Sequence, residues 1–279
     1  MTQLLLETAT DVCSVAVARD GVFLAERTAT EGYRHASHLT VFIREALEAA
    51  GLTLAKVDEV VLSDGPGSYT SLRVGATTAK GLCVALPELR LRAVPTLLIL
   101  AAASEGDGIV LAVINSRRGE VYGQVFRKSY SENAAGVLIV DDRVSAFKAA
   151  TPRGEGGDTE EGEEVWWWME KLTEPMNLRF ADAGWFDEVV RLAGGKPITV
   201  VGPGQERLLS ALTSQGMETE VGGAAPYHCS ASHLLAPATA PLSLLTGENA
   251  ARNIAEVAAY EPFYLNPPFV TKSTKKPLA

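Results

Sequence analysis

The sequence predicts an α/β fold of two pseudo-symmetric lobes facing each other across a cleft, and three observations carry that reading. Leu4 to Val17 reads as an apolar strand, a polar turn and a second strand, and Ile109 to Phe126 repeats this phrase about 105 residues later. A second pair follows in the same order: Val57–Ser63 leads into Asp64-Gly65-Pro66-Gly67, and Ile198–Val201 leads into Gly202-Pro203-Gly204. A period this long means two related lobes, since solenoid repeats run to about 20–50 residues. Finally, strands and helices alternate from residue 50 onward, which extends each antiparallel start into a mixed sheet with helical crossovers. The expected units are residues 1–105, residues 106–265 with an acidic insertion at 151–168, and a basic tail at 266–279.

The elements follow in order. After the first hairpin, Asp20-Gly21 is a turn signal that leads into a third strand over Gly21–Arg27. From Ser37 the apolar positions Leu39, Phe42, Ile43, Ala46, Leu47 and Ala50 keep the 3.6-residue period, with Gly51 as C-cap, so this is a surface helix with one buried stripe. The strand at Val57–Ser63 and its Gly/Pro loop lead into a helix over Ser71–Ala85, rich in small residues and ended by Pro87. Leu91–Val94 reads as a strand, and Pro95-Thr96 opens a helix through about Ser104. In the second lobe, Thr151–Glu164 is rich in glycine and acid and reads as a mobile loop. Trp166, Trp167 and Trp168 cannot all face one core, so at least one is expected at a surface, in local lid packing or against a partner. Gln205–Leu212 reads as a helix, His228–Leu245 as the last long helical stretch, and Pro262–Leu265 as an extended closing segment.

Composition narrows the function. The 279 residues are 47% hydrophobic and 21% charged, typical of a globular protein, and no apolar run reaches the roughly 18 residues of a membrane span. The N-terminus has no basic region ahead of its short apolar run, so it reads as a strand and not a signal peptide. Cys13, Cys83 and Cys229 are far apart and set in apolar context, which fits reduced thiols in a cytoplasmic protein. A net charge of −9 repels phosphate backbones, so if RNA is involved a partner must hold most of it. The lysines of Thr271–Lys276 read as a solvated terminus.

Asp64–Arg73 lies where a strand ends and a helix begins, a place that favours an anion. Neither a Walker loop nor a dinucleotide loop is matched, and the alternatives are a tight turn or a phosphate or partner contact involving Thr8, Asp64, Gly65, Gly67, Ser68 and Thr70. His35 and His38 could share a helix face, but no third metal ligand is evident. No metal site and no catalytic residue is assigned.

Glu7-Thr8-Ala9-Thr10, Cys13-Ser14-Val15-Ala16, Arg34-His35-Ala36-Ser37, Asp64 to Gly75, Ala79-Lys80-Gly81 and Arg117 to Tyr122 together resemble the TsaB (YeaZ) family of bacterial tRNA threonylcarbamoyladenosine biosynthesis proteins. The match is dense over residues 3–126 and sparse beyond, picking up weakly at Pro262–Leu265. This resemblance implies an actin-like, sugar-kinase-like (ASKHA) fold of the ribonuclease H-like type. Sugar kinases carry Asp and glycine in the first turn to hold metal-bound phosphates; here the turn has Glu7 and Ala9, so poor ATP hydrolysis is expected. Departures from the family pattern are Glu7 for Asp, Ser71 for Gly, and the acidic insertion. The catalytic relative TsaD holds a metal with histidines four apart, whereas His35 and His38 are three apart.

The expected function is therefore a non-catalytic scaffold in the complex that transfers a threonylcarbamoyl group to adenosine 37 of ANN-decoding tRNAs. The resemblance implies TsaD as paralogous partner, TsaE as ATPase and tRNA as an indirect partner, with no required cofactor, and it allows ATP or ADP at a subunit interface. The expected partner surface is Leu39, Phe42, Ser71, Leu72, Gly75, Ala76 and Ala79, on the two first-lobe helices. Alone, that surface is expected to form a homodimer. The rival readings are a small-molecule kinase of the same fold and a peptidase acting on TsaD.

Overall fold

The computed structural model describes residues 1–30, 35–131, 144–148, 166–182, 184–217, 221–235 and 254–266. The acidic loop 151–164, the tail beyond residue 266, and Arg34 lie outside them, as do the side chains of Trp166–Trp168.

The first sheet has the order β3-β2-β1-β4-β5. Its strands are β1 (Thr2–Glu7), β2 (Cys13–Arg19), β3 (Val22–Ala29), β4 (Glu59–Gly65) and β5 (Arg90–Pro95). Among the described residues, β1–β2 and β2–β3 pair antiparallel, whereas β1–β4 and β4–β5 pair parallel. The second sheet contains β6 (Gly108–Asn115), β7 (Glu120–Ser131), β8 (Val144–Lys148), β9 (Trp166–Lys171), β10 (Met176–Arg179), β11 (Ile198–Val201) and β12 (Val221–Ala224). Its order is β12-β11-β6-β7-β9-β8, with β10 on the side of β7. Here β6–β7 and β7–β9 are antiparallel while β6–β11 and β11–β12 are parallel, so five strands of each sheet repeat one order and one set of directions. The duplicated phrases are thus the central strands of two equivalent sheets, and the fold is the two-lobed ASKHA, ribonuclease H-like arrangement.

Helix α1 (His35–Ala49) and α2 (Tyr69–Ala85) cover one face of the first sheet. Their buried stripes, Leu39, Ile43, Ala46 and Leu47 on α1 and Leu72, Ala76, Ala79 and Cys83 on α2, are the positions the 3.6-residue period brings to one side. Helix α3 (Thr96–Ala103) is buried all round, because it lies between the sheets: Leu97 to Ala102 share one core with Leu5, Val61, Val110, Ala112 and Phe126. The second lobe carries α4 (Gly184–Ala193) and α5 (Gln205–Ser214).

The end of the chain departs from expectation. His228–Ser230 is not helical: Ser230 is extended and caps a 3-10 turn at Ala231–Leu234 in a reciprocal box with His233. Cys229, Ala231 and Leu234 are fully buried in the core between the sheets, where an extended entry lets Cys229 reach β1. The remainder of the expected helix, 236–245, lies outside the described residues. Helix α6 (Ile254–Ala259) then packs on α2, and Val257 and Tyr260 enter the first-lobe core.

Candidate functional site: the inter-lobe cleft and the first-lobe helices

Because β1 and β4 are parallel neighbours, the turn after β1 and the loop after β4 lie side by side at the carboxyl edge of the sheet, where α/β folds bind ligands. Here the two touch. The Ser68 amide donates to the Ala9 carbonyl at 2.7 Å, and a Cβ on Gly67 would stand 2.2 Å from that same oxygen. The second lobe repeats the contact: the Gly204 amide donates to the Val113 carbonyl at 3.3 Å, and a Cβ on Gly202 would stand 2.3 Å from it. Glycine at these loops therefore serves backbone-to-backbone approach within each lobe.

Between the loops lies a cleft of about 250 Å³, walled by Thr10, Asp11 and Ser68 of the first lobe and by Asn115, Arg117 and Tyr122 of the second. Of the residues expected at an anion loop, Gly67 and Ser68 face this cleft. Thr8 and Asp64 do not. Thr8 is fully buried with its Oγ1 beneath Gly75, where a Cβ would come within 2.2 Å. The buried Asp64 carboxylate accepts a 2.6 Å hydrogen bond from the Tyr260 hydroxyl, and burial raises its pKa. Gly65 lies at a separate opening beside Phe263, and Thr70 is exposed on the first turn of α2.

Glu7, where sugar kinases use a metal-binding carboxylate, is fully buried. One oxygen accepts the Ala9 amide at 2.7 Å and the other accepts the Cys229 thiol at 3.3 Å. Burial pushes its pKa up to about 7, so near neutrality a large share of it is uncharged. In the second lobe the equivalent turn offers Asn115, whose amide donates to the Pro203 carbonyl and whose oxygen accepts from Arg207. Among the described residues no three His, Cys, Asp or Glu side chains converge on one point. Glu7 and Asn115 thus offer no outward carboxylate to a magnesium-bound triphosphate at the positions where sugar kinases place one, and the exposed carboxylate at the cleft is instead that of Asp11.

The histidines part company. His35 is buried and its Nε2 contacts the Val12 carbonyl at 2.9 Å, with burial lowering its pKa, while His38 packs edge-on against Phe42.

On the helices, the structure corrects the expected partner surface. Leu39, Ser71, Leu72, Gly75, Ala76 and Ala79 are buried inside the first lobe, and only Phe42 is partly exposed. The small residues of α2 let it settle on its own sheet and on the β1–β2 turn, not on a partner helix. What the two helices offer outward is an apolar groove of about 420 Å³ between α1 and α2, lined by Ile43, Leu47, Leu52, Leu54, Thr78 and Leu82. Leu52, Leu54, Thr78 and Leu82 were missed in the sequence; Leu82, one turn from Thr78 and off the buried stripe, was the readable sign of a second apolar line.

The chain is similar to known proteins in sequence and in fold. A sequence model of the family TsaD, tRNA N6-adenosine threonylcarbamoyltransferase, matches residues 27–162. The tRNA threonylcarbamoyladenosine biosynthesis protein TsaB of Escherichia coli is 32% identical over 128 residues, which are 45% of this chain and 54% of that protein. TsaB of Haemophilus influenzae is 35% identical over 136 residues, 46% of this chain and 55% of that protein. TsaB of Bacillus subtilis is 29% identical over 145 residues, 52% of this chain and 62% of that protein. The chain thus spans about half to three-fifths of the curated relatives it matches. The solved structure of YeaZ from Pseudomonas aeruginosa superposes with a TM-score of 0.61 at 22% identity, covering 95% of this chain and 99% of that one, which shows the shared fold. The resemblance to the TsaB (YeaZ) family read from the first-lobe motifs is borne out.

Proposed function

We propose that this TsaB-like chain is a non-catalytic scaffold subunit in the biosynthesis of N6-threonylcarbamoyladenosine at position 37 of ANN-decoding tRNAs. It supports a TsaD-type transferase and works with a TsaE-type ATPase. The observation that carries the reading is the inward commitment of the first-lobe turn: the Ser68 amide is hydrogen-bonded to Ala9, and Glu7 commits both carboxylate oxygens to Ala9 and Cys229. With that carboxylate turned inward, the surface becomes the working part, and the apolar groove between α1 and α2 suits the helices of a related subunit. The same groove pairs two copies of the chain when the partner is absent. The scaffold needs no cofactor of its own, and a nucleotide in the assembly sits at a subunit interface.

The test is reconstitution with a TsaD-type partner, reading the mass of the complex and the modification of tRNA. Complex formation and modification that depends on the chain are expected; no complex, or full modification without the chain, overturns the reading. Replacing Leu82, part of the groove wall, by Arg places a charge in the contact and is expected to weaken the complex by about tenfold or more; because Leu82 also packs on the first-lobe core, binding is compared at a temperature where melting shows the variant still folded.

A further inference from the structure

We propose that the corner of the second lobe around the β6–β7 turn is a contact for the phosphate backbone of RNA, an inference that rests on the tRNA reading above. Four arginines meet there although the chain as a whole carries −9. Arg117 and Arg118 are exposed on the turn itself. Arg179 joins them because β10 pairs with β7 in a register that sets Arg179 opposite Glu120, and the next residue, Phe180, donates its amide to the Gly119 carbonyl at 2.9 Å. Arg207, on the first turn of α5, completes the group by donating to Asn115 Oδ1 at 3.2 Å and to the Arg117 carbonyl at 2.9 Å, its guanidinium 5.7 Å from the centre of the Phe180 ring.

Nearby carboxylates offset this cluster only in part: Glu120 is drawn inward, whereas Asp11, Asp182 and Glu206 are exposed at its edges. Glu120 is tucked beneath it at 13% side-chain exposure, accepting from the Ser116 hydroxyl and facing Arg179 Nε at 3.7 Å. Asp182 turns its Oδ1 back to the Gly184 amide. Glu206 is the exposed carboxylate beside Arg207. Arg179 keeps 71% of its side chain in solvent despite its pairing.

Phosphate is favoured over an acidic protein by what borders the arginines. Arg117 and Tyr122 line the cleft with Ser68 and, at the first-lobe turn, Asp11; Tyr122 and Ser68 each accept a hydrogen bond from the protein, from Asn266 and Ser71, which leaves their own O–H groups to donate. Guanidinium groups beside neutral hydroxyl donors are the usual company of a nucleic-acid backbone. Elsewhere the acidic surface repels RNA, so the corner acts as an orienting contact for an RNA held chiefly by the catalytic subunit.

The experiment titrates a fluorescent, in vitro transcribed ANN-decoding tRNA with the full chain alone in about 50 mM salt, and compares the double variant Arg118→Gln/Arg179→Gln. Two lost phosphate contacts are expected to weaken binding roughly tenfold and lower the slope of log affinity against log salt by about 1–2. Circular dichroism melting checks that the variant folds as the parent does. Absence of binding by the parent chain overturns the proposal, as do equal affinity and equal slope in the variant. A variant that loses only its complex with the TsaD-type partner marks the corner as a protein contact and also overturns it. The scaffold reading stands or falls separately, on whether the unaltered chain forms that complex.

Discussion

The two strand-to-helix loops, Asp64–Gly67 in the first lobe and Gly202–Gly204 in the second, share a backbone and differ in chemistry. In both, a glycine meets the carbonyl of the neighbouring strand end, Ala9 in one case and Val113 in the other, with no room for a Cβ. Each is also strapped by a later segment: Phe263 donates to the Asp64 carbonyl at 2.9 Å, and Gly202 donates to the Pro226 carbonyl at 2.7 Å. Beneath the first loop lie buried acids, Glu7 and Asp64, with Asp11 exposed at its edge; beside the second lie the arginines of the β6–β7 corner, with Glu206 exposed among them. Duplication therefore preserved the packing rule, while side-chain chemistry diverged toward a neutral interior on one side and a charged surface on the other.

That comparison can be broken most forcefully at the glycines. Gly67→Ala and Gly202→Ala each force a methyl against a backbone carbonyl, and Gly202 also has φ +105. Each is expected to cost about 3 kcal/mol or more in urea unfolding, and equal losses would support equivalent roles for the two loops. If either variant unfolds like the parent chain, the shared close approach is wrong.

The buried acids of the first loop come next. For Glu7, whose pKa rises from 4.5 to about 7 on burial, the folded state keeps a proton that the unfolded state has released. Stability is therefore greatest below about pH 4.5 as far as this group is concerned, falls as the pH rises to about 7, and then levels off. Glu7→Gln removes this dependence and is expected to gain on the order of 3 kcal/mol on the parent chain between those limits. Parallel pH profiles in the two proteins would show that Glu7 is not held as described. Tyr260→Phe deletes the 2.6 Å hydrogen bond to buried Asp64 and is expected to cost about 1–3 kcal/mol, read as a lower melting temperature.

The smallest effect is a control of opposite sign. Gly81 lies in α2, where an added Cβ would have nothing within 4 Å, so Gly81→Ala is expected to stabilise by about 0.5–1 kcal/mol.

Much of this was legible in the sequence, for reasons that particular residues make clear. The β-branched runs Val57–Ser63 and Ile198–Val201 and their Gly/Pro loops announced both sheets, because strand and turn preferences act over a few residues. The small residues of α2 were misread, since Gly75 and Ala79 permit close approach without saying to what, and the answer is the chain's own sheet. The Tyr260–Asp64 bond joins residues 196 apart and the Cys229–Glu7 contact residues 222 apart, and no local pattern signals either. Nor could spacing alone separate His35, turned inward to Val12, from His38, which packs on Phe42.

Calorimetric titration of the isolated chain with ATP and magnesium addresses the central claim, that the chain acts by docking and not by turnover, most directly. No saturable heat is expected, because the first loop is bonded to Ala9 and Glu7 is committed inward. Magnesium-dependent binding in the micromolar range would contradict the account and favour the kinase reading.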